Sequence, residues 1–203
     1  MQADAARTVY VVDDDPAMRH SLGWLIGSLG VAVESFGSGE EFLRAVRADR
    51  PGCLVTDVRM PGMSGLELQD TLARAGSVLA VVVITGHGDV PMAARAFRAG
   101  AVDFIEKPFN DQLLLDRVHE ALETSRRAWE AQARKAHVRA LLARLTPRER
   151  QVADLVVQGK PNKVIAAEIN LSLKTVEVHR HNVMDKLEVA SVSDLTRLLL
   201  EAE

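Results

Sequence analysis

The chain has 203 residues, 47% of them hydrophobic and 26% charged, long enough for one large domain or two small ones. Its one cysteine, Cys53, excludes an intramolecular disulfide and a cysteine-built zinc site. The longest strongly apolar run, Leu79 to Ile84, is too short to cross a bilayer, and the opening "MQADAARTVY" lacks the apolar stretch of a signal peptide, so a cytoplasmic protein with no membrane role is expected. The net charge of −3 is unevenly spread. Residues 1–125 carry 11 basic against 18 acidic side chains, residues 126–140 carry five against one, and residues 141–203 carry nine of each. This pattern predicts an acidic domain (1–125), a short basic connector (126–140) and a balanced second domain (141–203). No global basic charge announces nucleic acid, so any case for DNA rests on local pattern.

Five short apolar runs punctuate the first domain: "TVYVVD" (8–13), "VAVESF" (31–36), "CLVTDV" (53–58), "AVVVIT" (80–85) and "VDFIEK" (102–107). Amphipathic segments near 16–29, 38–48, 65–75, 89–99 and 111–125 alternate with them. Alternation of this kind predicts an α/β fold, a doubly wound five-stranded parallel sheet with helices on both faces. Cys53 opens the third run and reads as a buried core thiol. Such sheets bind ligands at the carboxyl ends of their strands. The first run ends in Asp13, Asp14 and Asp15, the third at Asp57, the fourth at Thr85 and the fifth at Lys107. Crowded carboxylates repel one another and raise each other's pKa unless a cation offsets them. An oxygen-rich set suits a hard cation such as Mg²⁺, and Lys107 with Thr85 would hold an anion beside it.

This constellation, over about 120 residues, resembles the flavodoxin-like receiver domain of bacterial response regulators. The resemblance implies that Asp57 accepts a phosphoryl group from a sensor histidine kinase. It further implies that Asp14, Asp57 and the backbone carbonyl of Arg59 ligate Mg²⁺ directly, with Asp13 acting through water and Asp15 a solvated neighbour. Thr85 would bond a phosphoryl oxygen, Lys107 would pair with the phosphoryl group, and the Lys107–Pro108 bond would be cis. Phe104 occupies the family's aromatic switch position, beside a plain core reading. Arg59 and His87 stand where the family tunes phosphate lifetime. A rival reading takes "VVDDD" as the hhhDxD signature of aspartate-nucleophile phosphatases of the haloacid dehalogenase type, with Asp13 as nucleophile and Asp15 as acid/base. That reading leaves "TDVRMPGMSG" unexplained and has no inserted cap domain to close on a substrate.

No glycine or proline interrupts residues 113–145. The segment "TSRRAWEAQARKAHVRALLARL" is rich in helix formers, so the last helix of the first domain is expected to run on to about residue 140 as a helical linker. Beyond it, "LTPRERQVADLV" is a helix start with Thr146 as N-cap, Pro147 in the first turn and Glu149 closing a capping box. "GKPN" breaks that helix. A short helix follows, with Ile165, Ala166 and Ile169 inward. Ser172 then caps a third helix from about Leu173 to Leu187. The pair reads as a helix-turn-helix in an all-α four-helix domain.

On the third helix Val176, His179, Val183 and Leu187 share an inner face. Lys174, Glu177, Val178, His181 and Asp185 lie opposite. The stretch resembles the LuxR-type DNA-binding domain, and the two halves together resemble the NarL/FixJ class of response regulators. The resemblance places base reading on Glu177, Val178 and His181. Glu177 suits cytosine N4 and Val178 a thymine methyl. Lys163, Lys174, Thr175, Arg180 and Lys186 suit phosphates. The class implies a transcription regulator, not a metabolic enzyme: the receiver catalyses only its own phosphoryl transfer and dephosphorylation. The class further implies pairing as a homodimer when phosphorylated, binding to double-stranded promoter DNA and action with RNA polymerase. A competing class is a constitutive DNA-binding protein whose first domain is only structural. That alternative has no need of Asp14, Asp57, Thr85 and Lys107 as a set.

Overall fold

The strand-ending charges are brought together by a sheet whose inner strands are apolar on both faces. The computed structural model describes residues 8–47 and 49–201. The first seven residues, which open the segment read above as no signal peptide, lie outside the described residues. So does Ala48, which closes the second amphipathic stretch.

In chain order the first unit comprises β1 (Thr8–Val12), α1 (Pro16–Gly27), β2 (Ala32–Phe36), α2 (Gly39–Ala45) and β3 (Cys53–Asp57). It continues with α3 (Gly65–Arg74), β4 (Ala80–Thr85), α4 (Val90–Arg98), β5 (Asp103–Glu106) and α5 (Asp111–Leu142). The strands are all parallel, in the order β2-β1-β3-β4-β5. The strands β1, β3 and β4 are buried along their whole length. Continuous β-branched runs are what a strand covered on both faces requires.

Alternate side chains feed two cores. Val9, Val11, Val55, Val82 and Ile84 meet Leu22 and Ile26 of α1 and Leu114 and Val118 of α5. Tyr10, Val12, Leu54, Val81 and Val83 meet Phe42 of α2, Leu66, Leu68 and Leu72 of α3, and Ala96 of α4. Full burial of each such side chain is worth roughly 1.5–3 kcal/mol. Cys53 lies in the first core, where burial pushes its thiol pKa up and keeps it protonated.

Register fixes the rim. Asp57 stands opposite Ile84 and Thr85 opposite Glu106, so adjacent strands end close to one level. Two joints hold the ends of this sheet. At the carboxyl rim the first turn of α3 rests on the chain leaving β3, with the Gly65 N–H bonded to the Val58 carbonyl at 3.1 Å. A Cβ on Gly65 would collide with the carbonyl oxygen of Asp57, so only glycine lets the helix approach. At the other end the buried Ser125 of α5 accepts from the Gly52 N–H at 2.9 Å and donates to the Val78 carbonyl at 2.6 Å.

The chain divides into two compact units between Glu130 and Ala131. Across that break α5 is a single helix of 32 residues that ends at Leu142. The second unit holds α6 (Pro147–Val157), α7 (Asn162–Glu168), α8 (Leu173–Lys186) and α9 (Val192–Leu200). Its core joins Leu141 to Val152, Leu155, Ile165, Val176, Val183, Leu187 and Leu195. The Thr146–Glu149 capping box forms as the sequence predicts. Asn170, at φ 54°, makes the turn between α7 and α8, a left-handed conformation that asparagine tolerates better than most residues. Among the described residues no helix is long and apolar enough to cross a membrane.

Candidate functional site

Asp13, the first residue beyond β1, is 2% exposed, and Asp57, the last residue of β3, is 7% exposed. Two carboxylates this deeply placed need a counter-charge. Lys107, just after β5, supplies it. Its Nζ lies 2.7 Å from Asp57 Oδ1 and 3.0 Å from Asp13 Oδ2. Burial works against the Lys107 ammonium, but the hydrogen bonds to Asp57 and Asp13 outweigh it and raise its pKa above the ordinary 10.5. The Lys107–Pro108 bond is cis, as expected.

The remaining oxygens are also held. Asp57 Oδ2 accepts the Arg59 N–H at 2.6 Å, and Asp13 Oδ1 accepts the Asp15 N–H at 2.9 Å. Asp14 is exposed at the same rim. Thr85, at the end of β4, is fully buried, and its Oγ1 accepts the His87 N–H at 3.3 Å. Phe104 is half-buried on β5 and packs against the second core cluster. A Cβ at Gly88 would stand 2.8 Å from the Phe104 ring and 3.3 Å from the Thr85 methyl, so ring and threonine both border that glycine. Asp15 caps α1 by accepting the Ala17 N–H at 2.8 Å, a structural task that ties its carboxylate to the helix.

The donor set fits a hard divalent cation. All its ligand atoms are oxygens, and Asp14, exposed beside the buried pair, is open to one. Among the described residues no three histidine, cysteine, aspartate or glutamate side chains are arranged to hold a metal. A site using Asp14, Asp57 and one backbone carbonyl draws on only two such side chains, with water filling the rest.

In the second unit, α8 turns Val176, Val183 and Leu187 into the core. His179 is half-buried, with a buried Nδ1 that has no hydrogen-bond partner among the described residues. Glu177, Val178 and His181 are exposed, as are Lys163 and Lys174, while Thr175 is half-buried near the cap. Two expected phosphate contacts have partners within the unit. Arg180 donates to Asn162 Oδ1 at 2.6 Å, and Lys186 Nζ lies 2.6 Å from Glu149 Oε2. Glu149 is 3% exposed and also closes the capping box. The Lys186 contact, then the Thr146 N–H, pulls its pKa from 4.5 to about 2. No local sequence signal announces this ion pair, because its partners stand 37 residues apart.

A parallel sheet in this order with an acid–lysine pocket at its carboxyl rim defines a receiver-type signalling domain, and the second unit is a helix-turn-helix. Residues 9–119 match the response regulator receiver domain, and residues 143–199 match the bacterial regulatory proteins of the luxR family. The chain belongs to the response regulator family, with a receiver domain followed by a LuxR-type DNA-binding domain. It is 46% identical to nodulation protein W of Bradyrhizobium diazoefficiens, over 97% of this chain and 87% of that protein. It is 43% identical to the transcriptional regulatory protein FixJ of the same organism, over 96% of this chain and 95% of that one. The solved structure of the response regulator StyR is similar at a TM-score of 0.88 and 44% identity, covering 96% of this chain and 98% of that chain. Neither the phosphatase reading nor the constitutive binder finds support in these likenesses. Against the phosphatase, the residue it needs as acid/base, Asp15, serves as a helix cap.

Proposed function

We propose that Asp57 is the phosphoacceptor and that its phosphorylation drives promoter binding by the second unit. The observation that carries this is the Lys107 ammonium bridging Asp57 and Asp13 at the sheet's carboxyl rim. An Asp57 oxygen attacks the phosphorus of a kinase phosphohistidine. The new O–P bond forms as the P–N bond breaks, and the imidazole leaves with the electron pair. Lys107, already beside the nucleophile, neutralises charge on the transferred oxygens without reorganising. Thr85 turns its hydroxyl to a phosphoryl oxygen, and Phe104 follows into the space this vacates. A bound Mg²⁺ would supply further charge neutralisation, held by Asp14, Asp57 and the Arg59 carbonyl, with Asp13 acting through water. Arg59 and His87 flank the acyl phosphate and set how fast water removes it, so self-dephosphorylation is the receiver's own chemistry.

The product adds roughly −1.5 to −2 charge at the rim. The α4–β5–α5 face then pairs two receivers, which brings two DNA-binding units onto two half-sites and raises affinity through effective concentration. In each, Glu177, Val178 and His181 read base edges. Lys163, Lys174, Thr175, Arg180 and Lys186 contact phosphates, the last two by leaving Asn162 and Glu149. The complex acts on RNA polymerase in the cytoplasm. Domain limits of 1–125, 126–140 and 141–203 serve this reading.

The test is intact-mass measurement after treatment with acetyl phosphate and Mg²⁺. One phosphoryl adduct is expected on the protein and none on Asp57→Asn. An undiminished adduct on that variant refutes the assignment.

A further inference from the structure

We infer that Arg19, on α1, is a positioning residue for the metal ligand Asp14. The inference rests on the Mg²⁺ site proposed above. Arg19 Nη1 donates to the Asp13 carbonyl oxygen at 2.6 Å. That oxygen belongs to the peptide joining Asp13 to Asp14, which is planar. Holding the carbonyl therefore fixes the amide of Asp14 and, through it, the direction in which Cβ leaves the chain. On the other side of the peptide, the Asp13 N–H is bonded to the Phe36 carbonyl at 3.3 Å, and Asp13 Oδ1 holds the Asp15 N–H at 2.9 Å. Arg19 completes the restraint from α1.

The guanidinium is itself held in place. The Arg19 N–H bonds the Asp15 carbonyl at 3.0 Å, which sets the residue in the first turn of α1. A Cβ on Gly37 would lie 3.7 Å from Nη1, so the side chain runs beside the backbone between β2 and α2. Asp14 is exposed, and among the described residues none holds its side chain as Lys107 holds Asp13 and Asp57. Its aim comes from its backbone, and Arg19 grips that backbone.

Charge and position pull in opposite directions here, and the opposition makes the inference testable. A cation close to a divalent-metal site weakens metal binding by repulsion, so removing it for its charge alone tightens binding. Removing a group that orients a ligand loosens binding, on the order of tenfold for partners that orient metal ligands. Mg²⁺ titration of the full-length protein, followed by backbone amide resonances, measures the affinity without any phosphorylation.

Arg19→Gln, which is neutral and shorter, is expected to weaken Mg²⁺ binding about tenfold, to move the Asp14 amide resonance in the metal-free protein, and to leave the melting midpoint near the parent's. Arg19→Lys, which restores one donor and the charge, is expected to recover part of the loss. Mg²⁺ binding in Arg19→Gln within twofold of the parent, or tighter, overturns the inference, and so does a complete absence of recovery in Arg19→Lys. If Arg19→Gln does not fold, Arg19→Lys against the parent decides: a weaker affinity with a displaced Asp14 resonance supports the role, and an unmoved resonance overturns it. Asp14→Ala separates this from the underlying reading. If that variant still binds Mg²⁺ as the parent does, the metal site itself is misassigned, whereas loss in Asp14→Ala with none in Arg19→Gln rejects Arg19 alone.

Discussion

Replacing Glu149 with glutamine removes one negative charge from the joint between α6 and α8. Glutamine also serves at the third position of a capping box, so the bond to the Thr146 N–H survives and the ion pair to Lys186 does not. The hydrogen bond from Lys186, then that from the Thr146 N–H, takes the Glu149 pKa from 4.5 to about 2. At about 1.4 kcal/mol per pH unit this corresponds to a ceiling of about 3 kcal/mol. Glu149 is almost wholly buried, but the Lys186 side chain is 34% exposed, so solvent screens one end of the pair. A contribution of roughly 1–2 kcal/mol to the stability of the second unit is the expected magnitude.

The sign follows from the depressed value. A carboxylate whose folded pKa lies below its unfolded one stabilises fully above the unfolded value, here 4.5, and loses that contribution as pH falls toward 2. Wild type and Glu149→Gln should therefore differ most near neutral pH and converge near about pH 2. In a domain of this size the difference at neutral pH corresponds to a fall of roughly 5–15 °C in melting temperature. Calorimetry of the full-length protein measures it, with hydrogen exchange of α6 and α8 peptides assigning the transition to the second unit. An equal gap between the two proteins at neutral and at acid pH refutes the charge argument. No gap at neutral pH refutes the pair's contribution altogether.

Lys107 predicts the opposite limb. Its raised pKa means that its stabilising contribution is complete below 10.5 and disappears as pH climbs through the higher folded value, so Lys107→Met should flatten the alkaline unfolding profile of the first unit. A steep alkaline limb unchanged in the variant would count against the bridge. DNA affinity of the phosphorylated protein should depend on salt according to how many cations reach phosphate. A slope near −3.6 per half-site is expected if Lys163, Lys174, Arg180 and Lys186 all do, and about −1.8 if the last two stay on Asn162 and Glu149. Titration of a labelled promoter fragment at several salt concentrations distinguishes them.

The strand–helix order was legible because four of the five strands, β1, β3, β4 and β5, are written as runs ending in a charge or hydroxyl, and the sheet's own topology turns those endings into one rim. Asp13, Asp57, Thr85 and Lys107 were readable from position alone for that reason. The starts of α6 and α8 were equally readable, since Thr146 and Ser172 cap their helices through side-chain bonds to residues three ahead. What the sequence hid, outside the strand-end pocket, are contacts whose partners are distant in chain and whose identity depends on side-chain reach. Lys186 occupies a position on α8 that reads as a free phosphate contact, yet the folded unit brings Glu149 within 2.6 Å of it. Arg180 is likewise drawn to Asn162, 18 residues back. Gln69 of α3 is a third such contact: it is 2% exposed and donates to the Ala96 carbonyl of α4 at 2.9 Å.

These hidden contacts share a physical character. Each ties α4 or α8 to a neighbour through one or two polar bonds, which in α8 stand beside the apolar face of Val176, Val183 and Leu187. In α4 only Ala96 is buried, while Val90 and Phe97 are exposed. An element held mainly by a few polar contacts can shift at a cost of a few kcal/mol, because such bonds are individually worth about 0.5–1.5 kcal/mol net. An acyl phosphate on Asp57, as proposed above, would add roughly −1.5 to −2 charge at the rim that α4 borders. The sequence therefore displays the groups proposed to carry that charge, which sit at fixed strand ends. An element tied as lightly as α4 leaves little pattern in a sequence.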